Sequence, residues 1–566
     1  RIMDFKRTIA GLIAPENVGV DEVYAALAPT PDITKGDVCL PCFKFSKALR
    51  KSPQAIAEEL KNRLDESGCD LIEKSAVEGG YLNIFYNRSK AAEELFAEVK
   101  RNGGAVVAKE QSGKTVCIDY SSINIAKPFH IGHLLTTVIG GSLYRIYKYL
   151  GYNAVGINHL GDWGTQFGKM ISAYLRWGDD ADIEKRGVRA LLDLYVRFHA
   201  EAETDKALEA EGRAWFKKIE DGDPQALEIF GKFKDITLKE VKRVYERLGV
   251  EFDSYAGESF YNDKMQPVID DLRSKGLLTE SEGATVVDLE QYGMPPCLIL
   301  KSDGATLYAT RDLAAAVYRK NHYDFYKNLY VVAYQQNLHF RQIFKVLELM
   351  GYDWAKDCVH VAFGMVSLEG QGALSTRKGN VVFLDDVLDA AVQKAEEVID
   401  GKNPDLENKK QIAAEVGVGA VVFGALSSGR IKDLSFSLDK ALSFEGETAP
   451  YLQYTHARCR SVAERAGEVK GKFDPSVLCD DDAFTLVRLI GEFDKTVETA
   501  AEKYEPSVIS RYLLDVAAAY NRFYLNCRII GQAPDVSYTR LALTSLVAEV
   551  LEKGLNLLLI KAPDKM

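Results

Sequence analysis

Two of the eight histidines in the chain, His130 and His133, fall within four residues, with Gly132 between them. They close the stretch Asp119-Tyr120-Ser121-Ser122-Ile123-Asn124-Ile125-Ala126-Lys127-Pro128-Phe129-His130-Ile131-Gly132-His133. That stretch follows a β-rich run, Thr115 to Tyr120, and leads into an apolar helical pattern, Leu134 to Leu150. A loop between a buried strand and a helix lies at the carboxyl edge of a parallel sheet, where α/β folds hold ligands. The helix start offers free N–H groups and partial positive charge to phosphates. Gly132 lets a flat base or a phosphate approach the backbone. Imidazoles beside it donate to phosphate oxygens as negative charge builds in a transition state. A second stretch, Ser375-Thr376-Arg377-Lys378-Gly379-Asn380, follows the β-rich run 358–363 and Gly364-Met365-Val366. Hydroxyl, basic and glycine residues together suit a loop that clamps a triphosphate. Other nucleotide and metal motifs fail: Gly113-Lys114-Thr115 has Ala108 where a P-loop needs its first glycine, Gly417-Val418-Gly419 has Val422 at the third dinucleotide position, and no HExxH occurs.

The elements that position these residues fall into three regions. Residues 1–112 mix helix and strand, with a proline-started helix near Pro53 and a turn-then-strand at Gly79-Gly80-Tyr81-Leu82-Asn83. Residues 113–440 alternate β-rich runs, among them Leu329 to Ala333 and Cys358 to Ala362, with helical patterns. That alternation predicts an α/β parallel sheet, interrupted by a helical insertion at about 181–248. Residues 441–566 show apolar residues at helical spacing throughout, which predicts an all-α bundle.

Composition excludes several classes. The 566 residues are 47% hydrophobic and 27% charged, an ordinary globular mix. Net charge is 71 − 82 = −11, so no whole-chain basic surface marks a nucleic-acid binder. No apolar run approaches the roughly 18 residues of a membrane helix, and Ile9 to Ala14 is too short for a secretory leader. Nine dispersed cysteines predict a reducing, cytoplasmic compartment, with Cys39 and Cys42 as packing residues and no zinc site.

The long motifs resemble those of class I aminoacyl-tRNA synthetases, and of the arginyl-tRNA synthetase family in particular. His130-Ile131-Gly132-His133 matches the family's HIGH motif. Residues 121–130, Gly161-Asp162-Trp163-Gly164-Thr165-Gln166-Phe167-Gly168, 375–380, Tyr451-Leu452-Gln453-Tyr454-Thr455-His456-Ala457-Arg458 and the chain end Lys561-Ala562-Pro563-Asp564-Lys565-Met566 match its strings in order. The resemblance implies a Rossmann-type catalytic domain at 113–440, an N-terminal α+β domain at 1–112 touching the tRNA elbow, and a helical anticodon-binding domain at 441–566. The usual KMSKS lysines are missing from Ala373-Leu374-Ser375-Thr376-Arg377; the family commonly shows this loss, with Lys127 compensating and Lys378 assisting.

The resemblance also implies site roles. Lys127, His130, Gly132, His133, Met365, Val366, Ser375 and Lys378 would serve ATP and catalysis. Glu258, Tyr308 and Asp312 would bind the guanidinium of arginine, which needs carboxylates in fork geometry. Asn124 and Gln336 would hold its α-amino and carboxylate groups, and Asp162 would support the site. Asn83, Tyr451 and Tyr454, with His456, are candidate tRNA contacts. The implied partners are L-arginine, ATP carried with Mg²⁺, and cognate arginine tRNA, with no tightly bound cofactor, no membrane and a monomeric enzyme. Two other readings remain at this stage: an HxGH nucleotidyltransferase that uses no RNA, and a non-catalytic tRNA-binding paralogue.

Overall fold

The computed structural model describes residues 4–369 and 381–566. At its centre is a four-stranded parallel sheet in the spatial order Cys358–Phe363, Phe325–Ala333, Thr115–Asp119, Asn153–Ile157. The three runs expected as buried strands are the first three of these; Asn153–Ile157 was not anticipated. The chain passes from Thr115–Asp119 through the helix Leu134–Tyr149 to Asn153–Ile157 on one side, then crosses to Phe325–Ala333 on the other. The order reverses between Thr115–Asp119 and Phe325–Ala333, which opens a crevice beyond their carboxyl ends.

The crossing carries two additions. The segment expected to be helical forms Asp180–Arg186, Val188–Ala202, Lys206–Glu220 and Pro224–Leu248. After it comes an antiparallel meander, Leu278–Ser281, Ala284–Val287 and Cys297–Leu300, which the sequence reading did not anticipate. Its first turn is Glu282-Gly283, both at positive φ (49° and 83°), the two-residue connection whose twist suits a hairpin.

At the N-terminus an antiparallel sheet runs Ala28–Pro29, Val38–Pro41, Tyr81–Tyr86, Ile72–Glu78, and the expected helix is Pro53–Glu66. Cys39 and Cys42 are buried here as packing residues. The C-terminal part is helical: Ala449–Ala466, Asp481–Gly491, Phe493–Glu502, Ser507–Asn526 and Pro534–Leu557. Arg88 ties the first unit to the last, pairing with Asp37 and Asp481 (2.5 and 2.7 Å) and donating to the Cys479 carbonyl (2.8 Å). Glu549 accepts the N–H groups of Ala105 and Val106, which anchors the stretch leading into the central sheet. Among the described residues no helix is long and apolar enough to cross a membrane.

One ion pair lies inside the sheet unit. Arg319, in the helix Tyr308–Tyr323, donates to Asp119 at the end of its strand (2.9 Å), with side chains only 1% and 8% exposed. Removing one partner strands the other charge in a poor dielectric. We expect Arg319→Met to lower unfolding free energy by about 3–5 kcal/mol, as measured by urea denaturation. A loss under about 1 kcal/mol would mean that Asp119 has another compensating partner.

Candidate active site

The loop that leaves Thr115–Asp119 is strained. Ser121, Ser122 and Ala126 all have left-handed backbones (φ 66°, 45° and 58°), which cost non-glycine residues roughly 1–2 kcal/mol each. Specific hydrogen bonds offset that cost. Ser122 Oγ donates to Asp119 Oδ1 (2.6 Å), and Ser121 N–H to Thr136 Oγ1 (3.0 Å). Ser121 Oγ meets the Tyr245 hydroxyl at 2.6 Å, and Ala126 N–H donates to Thr237 Oγ1 at 2.9 Å. Tyr245 and Thr237 both belong to Pro224–Leu248, so an insertion helix supports the loop. The loop also pairs with the exit of Asn153–Ile157: Gly161 N–H donates to Ile123 O (2.8 Å) and Ile125 N–H to Gly161 O (3.1 Å). A Cβ at Gly161 would lie 1.9 Å from Asn124 Oδ1, so any side chain there would displace the Asn124 carboxamide. The bridge to Gly161 holds the backbone of the exposed Asn124 at the crevice.

The histidines then sit in a turn of their own making. His130 Nδ1 accepts the Gly132 N–H (3.0 Å), and His133 Nδ1 accepts the His130 N–H (3.1 Å). This pattern assigns the proton of each neutral ring to Nε2, leaving an N–H donor on each. Gly132 is required for contact as well as for ligand approach, since a Cβ would meet His130 Cε1 at 2.6 Å. The rings lie 4.2 Å apart, and His133 stacks on Phe129. Burial lowers both pKa values. That of His133 is pushed down to about 3, by burial and then by the neighbouring His130. Lys127 is half-buried; burial lowers its pKa, and the Glu258 charge opposes that.

Across the crevice, Asp162 organises the segment bearing Glu258. Fully buried, it accepts the Ser259 N–H (2.8 Å) and Ser259 Oγ–H (2.6 Å), and pairs with Lys234 (2.9 Å). Gly257 is pressed against Leu160 O and Asp162 Oδ1, at 2.5 and 2.7 Å from where a Cβ would stand. Burial pushes the Glu258 carboxyl up to about 7; Arg311, which donates to the Glu258 carbonyl, pulls it the other way.

Tyr308 and Asp312 are one turn apart at the start of Tyr308–Tyr323. Arg319, seven residues beyond Asp312, shares their face. Asp312 is buried and accepts a hydrogen bond from His339 Nε2 on its Oδ2 (2.6 Å). Among the described residues no donor reaches its Oδ1. Tyr308 is 58% exposed, with its ring 4.8 Å from that of His339. The Asp312 charge, then burial, raises its phenol pKa, so it remains an O–H donor. Gln336 is exposed at the exit of Phe325–Ala333, one turn before His339. Met365 and Val366 leave Cys358–Phe363 beside Leu434–Phe436, with Met365 Sδ 2.7 Å from Gln335 Nε2. The loop leaving Thr115–Asp119 thus supplies two neutral imidazole donors and an amine, while the segment after the insertion helices and the helix Tyr308–Tyr323 supply two carboxylates and a phenol.

Family models match nearly the whole chain: "tRNA synthetases class I (R), catalytic domain" over residues 96–438, "DALR anticodon binding domain" over 452–566, and "Arginyl tRNA synthetase N terminal domain" over 4–86. Curated relatives called arginine–tRNA ligase, from Alkaliphilus metalliredigens and Halothermothrix orenii, are 51% and 50% identical over all of both chains. The chain belongs to the arginyl-tRNA synthetases. The arginyl-tRNA synthetase of Thermus thermophilus superposes with a TM-score of 0.83 at 26% identity, covering 95% of this chain and 96% of that one. That of Plasmodium falciparum shares the fold, with a TM-score of 0.82 at 21% identity and full coverage of both chains.

The candidates named from sequence divide by location. Asn124, Lys127, His130, Gly132, His133, Glu258, Tyr308, Asp312, Gln336 and Met365 lie on loops or helix starts near the carboxyl edge of the central sheet, and Val366 opens the short strand Val366–Leu368 just beyond it. Ser375 and Lys378 fall outside the described residues. Asn83 needs correction as a tRNA contact: it is 6% exposed, in the interior strand of the N-terminal sheet. The exposed groups beside it are Tyr81 and Phe43, whose rings lie 6.0 Å apart. His456 is also corrected. It is fully buried, with Nδ1 3.1 Å from the Pro563 carbonyl, whereas Tyr454 is 43% exposed and Tyr451 is half-buried. Sequence reasoning missed His339, whose signal was its place one turn after Gln336, and it missed Asp119 and Arg319.

A guanidinium held by Glu258 needs that carboxyl ionised, and burial pushes the carboxyl up to about 7. The arginine KM is therefore expected to rise as pH falls through about 7 and to level off above it. In Glu258→Gln the KM should be high and flat over that range. Steady-state pyrophosphate exchange at pH 6–8.5 measures both, and an identical pH profile in the variant would remove Glu258 from the binding step.

Proposed function

We propose that this chain joins L-arginine to its cognate tRNA through an arginyl-adenylate. The observation that carries the reading is the convergence of the His130, His133 and Lys127 donors with the Glu258 and Asp312 carboxylates in one crevice. The guanidinium, which keeps its proton, takes the free Oδ1 of Asp312 and the Glu258 carboxylate, with the Tyr308 hydroxyl at the mouth. Asn124 and Gln336 hold the α-amino and carboxylate ends. An arginine carboxylate oxygen then bonds to the α-phosphorus of ATP, and the bond from that phosphorus to the bridging oxygen breaks. Pyrophosphate leaves with Mg²⁺, which arrives with the nucleotide as substrate. The Nε2–H groups and the Lys127 ammonium stabilise the charge on the transferring phosphate. Met365 and Val366 line the nucleotide side, where Ser375 and Lys378 complete the expected set. In the second step a terminal ribose hydroxyl of the tRNA, the 2′-OH by class I behaviour, attacks the adenylate carbonyl and AMP leaves.

We assign residues 113–440 to catalysis, 441–566 to the anticodon and 1–112 to the tRNA elbow. Tyr454, with the Arg458 guanidinium 5.1 Å from its ring centre, and Tyr451 are the anticodon-side candidates. Tyr81 and Phe43 are better placed than Asn83 to stack on an unpaired base. The chain works as a cytoplasmic monomer in this reading; its nine free cysteines suit a reducing compartment. An RNA-free nucleotidyltransferase leaves the helical C-terminal part without a task, and a non-catalytic paralogue leaves the strained histidine loop without one.

Arginine-dependent exchange of labelled pyrophosphate into ATP, followed by charging of arginine tRNA, tests the proposal. Citrulline, which lacks the charge, should be rejected by about 10⁴-fold or more in kcat/KM, and Asp312→Asn should collapse most of that ratio by losing arginine. Equal use of citrulline, or activity independent of arginine, would contradict it.

A further inference from the structure

The insertion helices reach past the loop they support. From Val188–Ala202, Arg189 pairs with Asp386 (2.8 Å), its guanidinium 3.7 Å from the centre of the Phe383 ring. From Pro224–Leu248, Arg243 and Arg247 both bond Asp385, and Arg247 also bonds Asp389 (2.8 Å). The three aspartates occupy the opening turns of Leu384–Lys402, where Asp385 and Asp386 also complement the helix dipole. The hub is anchored by its half-buried pair, with Asp385 and Arg247 side chains 20% and 25% exposed, while those of Arg189, Arg243, Asp386 and Asp389 are exposed.

This helix start is tied directly to the histidine turn. Ile131 N–H donates to Val382 O and Leu384 N–H to Phe129 O, both at 3.0 Å, with Phe383 opposite His130 in an antiparallel bridge. Phe383, Asp385, Arg189 and Arg243 line a cavity of about 560 Å³ together with Lys127 and Phe129.

We propose that Arg189, Arg243 and Arg247 are positioning residues of the nucleotide half-site: by holding Asp385 and Asp386 they keep residues 382–384 paired with Phe129–Ile131. The histidine donors and Lys127 are thereby set against the triphosphate. The inference rests on the proposed function for its substrate, and the geometry itself is independently measurable. None of the three arginines needs to touch ATP or arginine.

The test uses the full chain with Arg189→Met, Arg247→Met and Arg247→Lys. In pyrophosphate exchange, the Met variants should raise the ATP KM by about tenfold or more, since small misplacements of donors are costly. The arginine KM should stay within about twofold, because its carboxylates lie on the other side of the crevice. Arg247→Lys should recover much of the ATP KM. Hydrogen exchange supplies the readout that needs no activity: the Ile131 and Leu384 amides should lose protection in the Met variants, while the core strand Thr115–Asp119 keeps its own. An unchanged ATP KM with unchanged protection would overturn the proposal. So would a parallel rise of both KM values with general loss of protection, the signature of a merely structural role. Wild-type protein inactive with arginine would defeat the proposed function, and the amide protection would still decide the positioning claim.

Discussion

A carboxylate and a guanidinium taken out of water together hold the two halves of this active site in register. Asp119 ends the strand that launches the histidine loop; Arg319 lies on the helix that presents Tyr308 and Asp312. Neither charge is tolerable there alone. Their pairing ties the loop that bears the histidines to the helix that bears Tyr308 and Asp312. Asp119 does a second task with its other oxygen, accepting the Ser122 hydroxyl and so stabilising the left-handed turn.

The remainder of the site is built around that bond. Three left-handed residues in six positions would not persist in a free loop. Here each is bonded to a different element: the sheet end, the helix after the histidines, and the insertion helix Pro224–Leu248. That insertion helix also carries Lys234 to Asp162, hence to the Glu258 segment, and Arg243 and Arg247 to Asp385. One helix therefore contacts the nucleotide side, the arginine side and the chain entering Leu384–Lys402. Support of this kind lets the neutral histidines keep a fixed tautomer, with both Nδ1 atoms accepting backbone N–H groups.

Much of this was legible in the sequence because local pattern and chemistry agree. A β-rich run, a loop with two histidines around a glycine, and an apolar helix can be read without neighbours, and Tyr308 and Asp312 could be placed one turn apart. The all-α C-terminus followed from spacing alone. The misses have a common cause: they depend on which face of an element meets which partner. Arg319, in Tyr318-Arg319-Lys320, reads as a solvated helix end until its partner 200 residues earlier is known. His339 looks like any histidine near a helix start until Asp312 is set beside it. Asn83 and His456 lie in family-like strings but turn inward. The meander at 278–300 is made of four-residue strands too short for periodicity, and only its Glu282-Gly283 turn gave a signal.

The most direct test of the central constraint removes both charges and keeps the space filled. A chain carrying Asp119→Asn together with Arg319→Met should fold cooperatively, because no lone charge is left buried. It should nonetheless lose about tenfold or more in kcat/KM for both arginine and ATP in pyrophosphate exchange, since the two halves are no longer held in register. A well-folded double variant with wild-type kcat/KM for both substrates would contradict the account and reduce the ion pair to a contribution to stability.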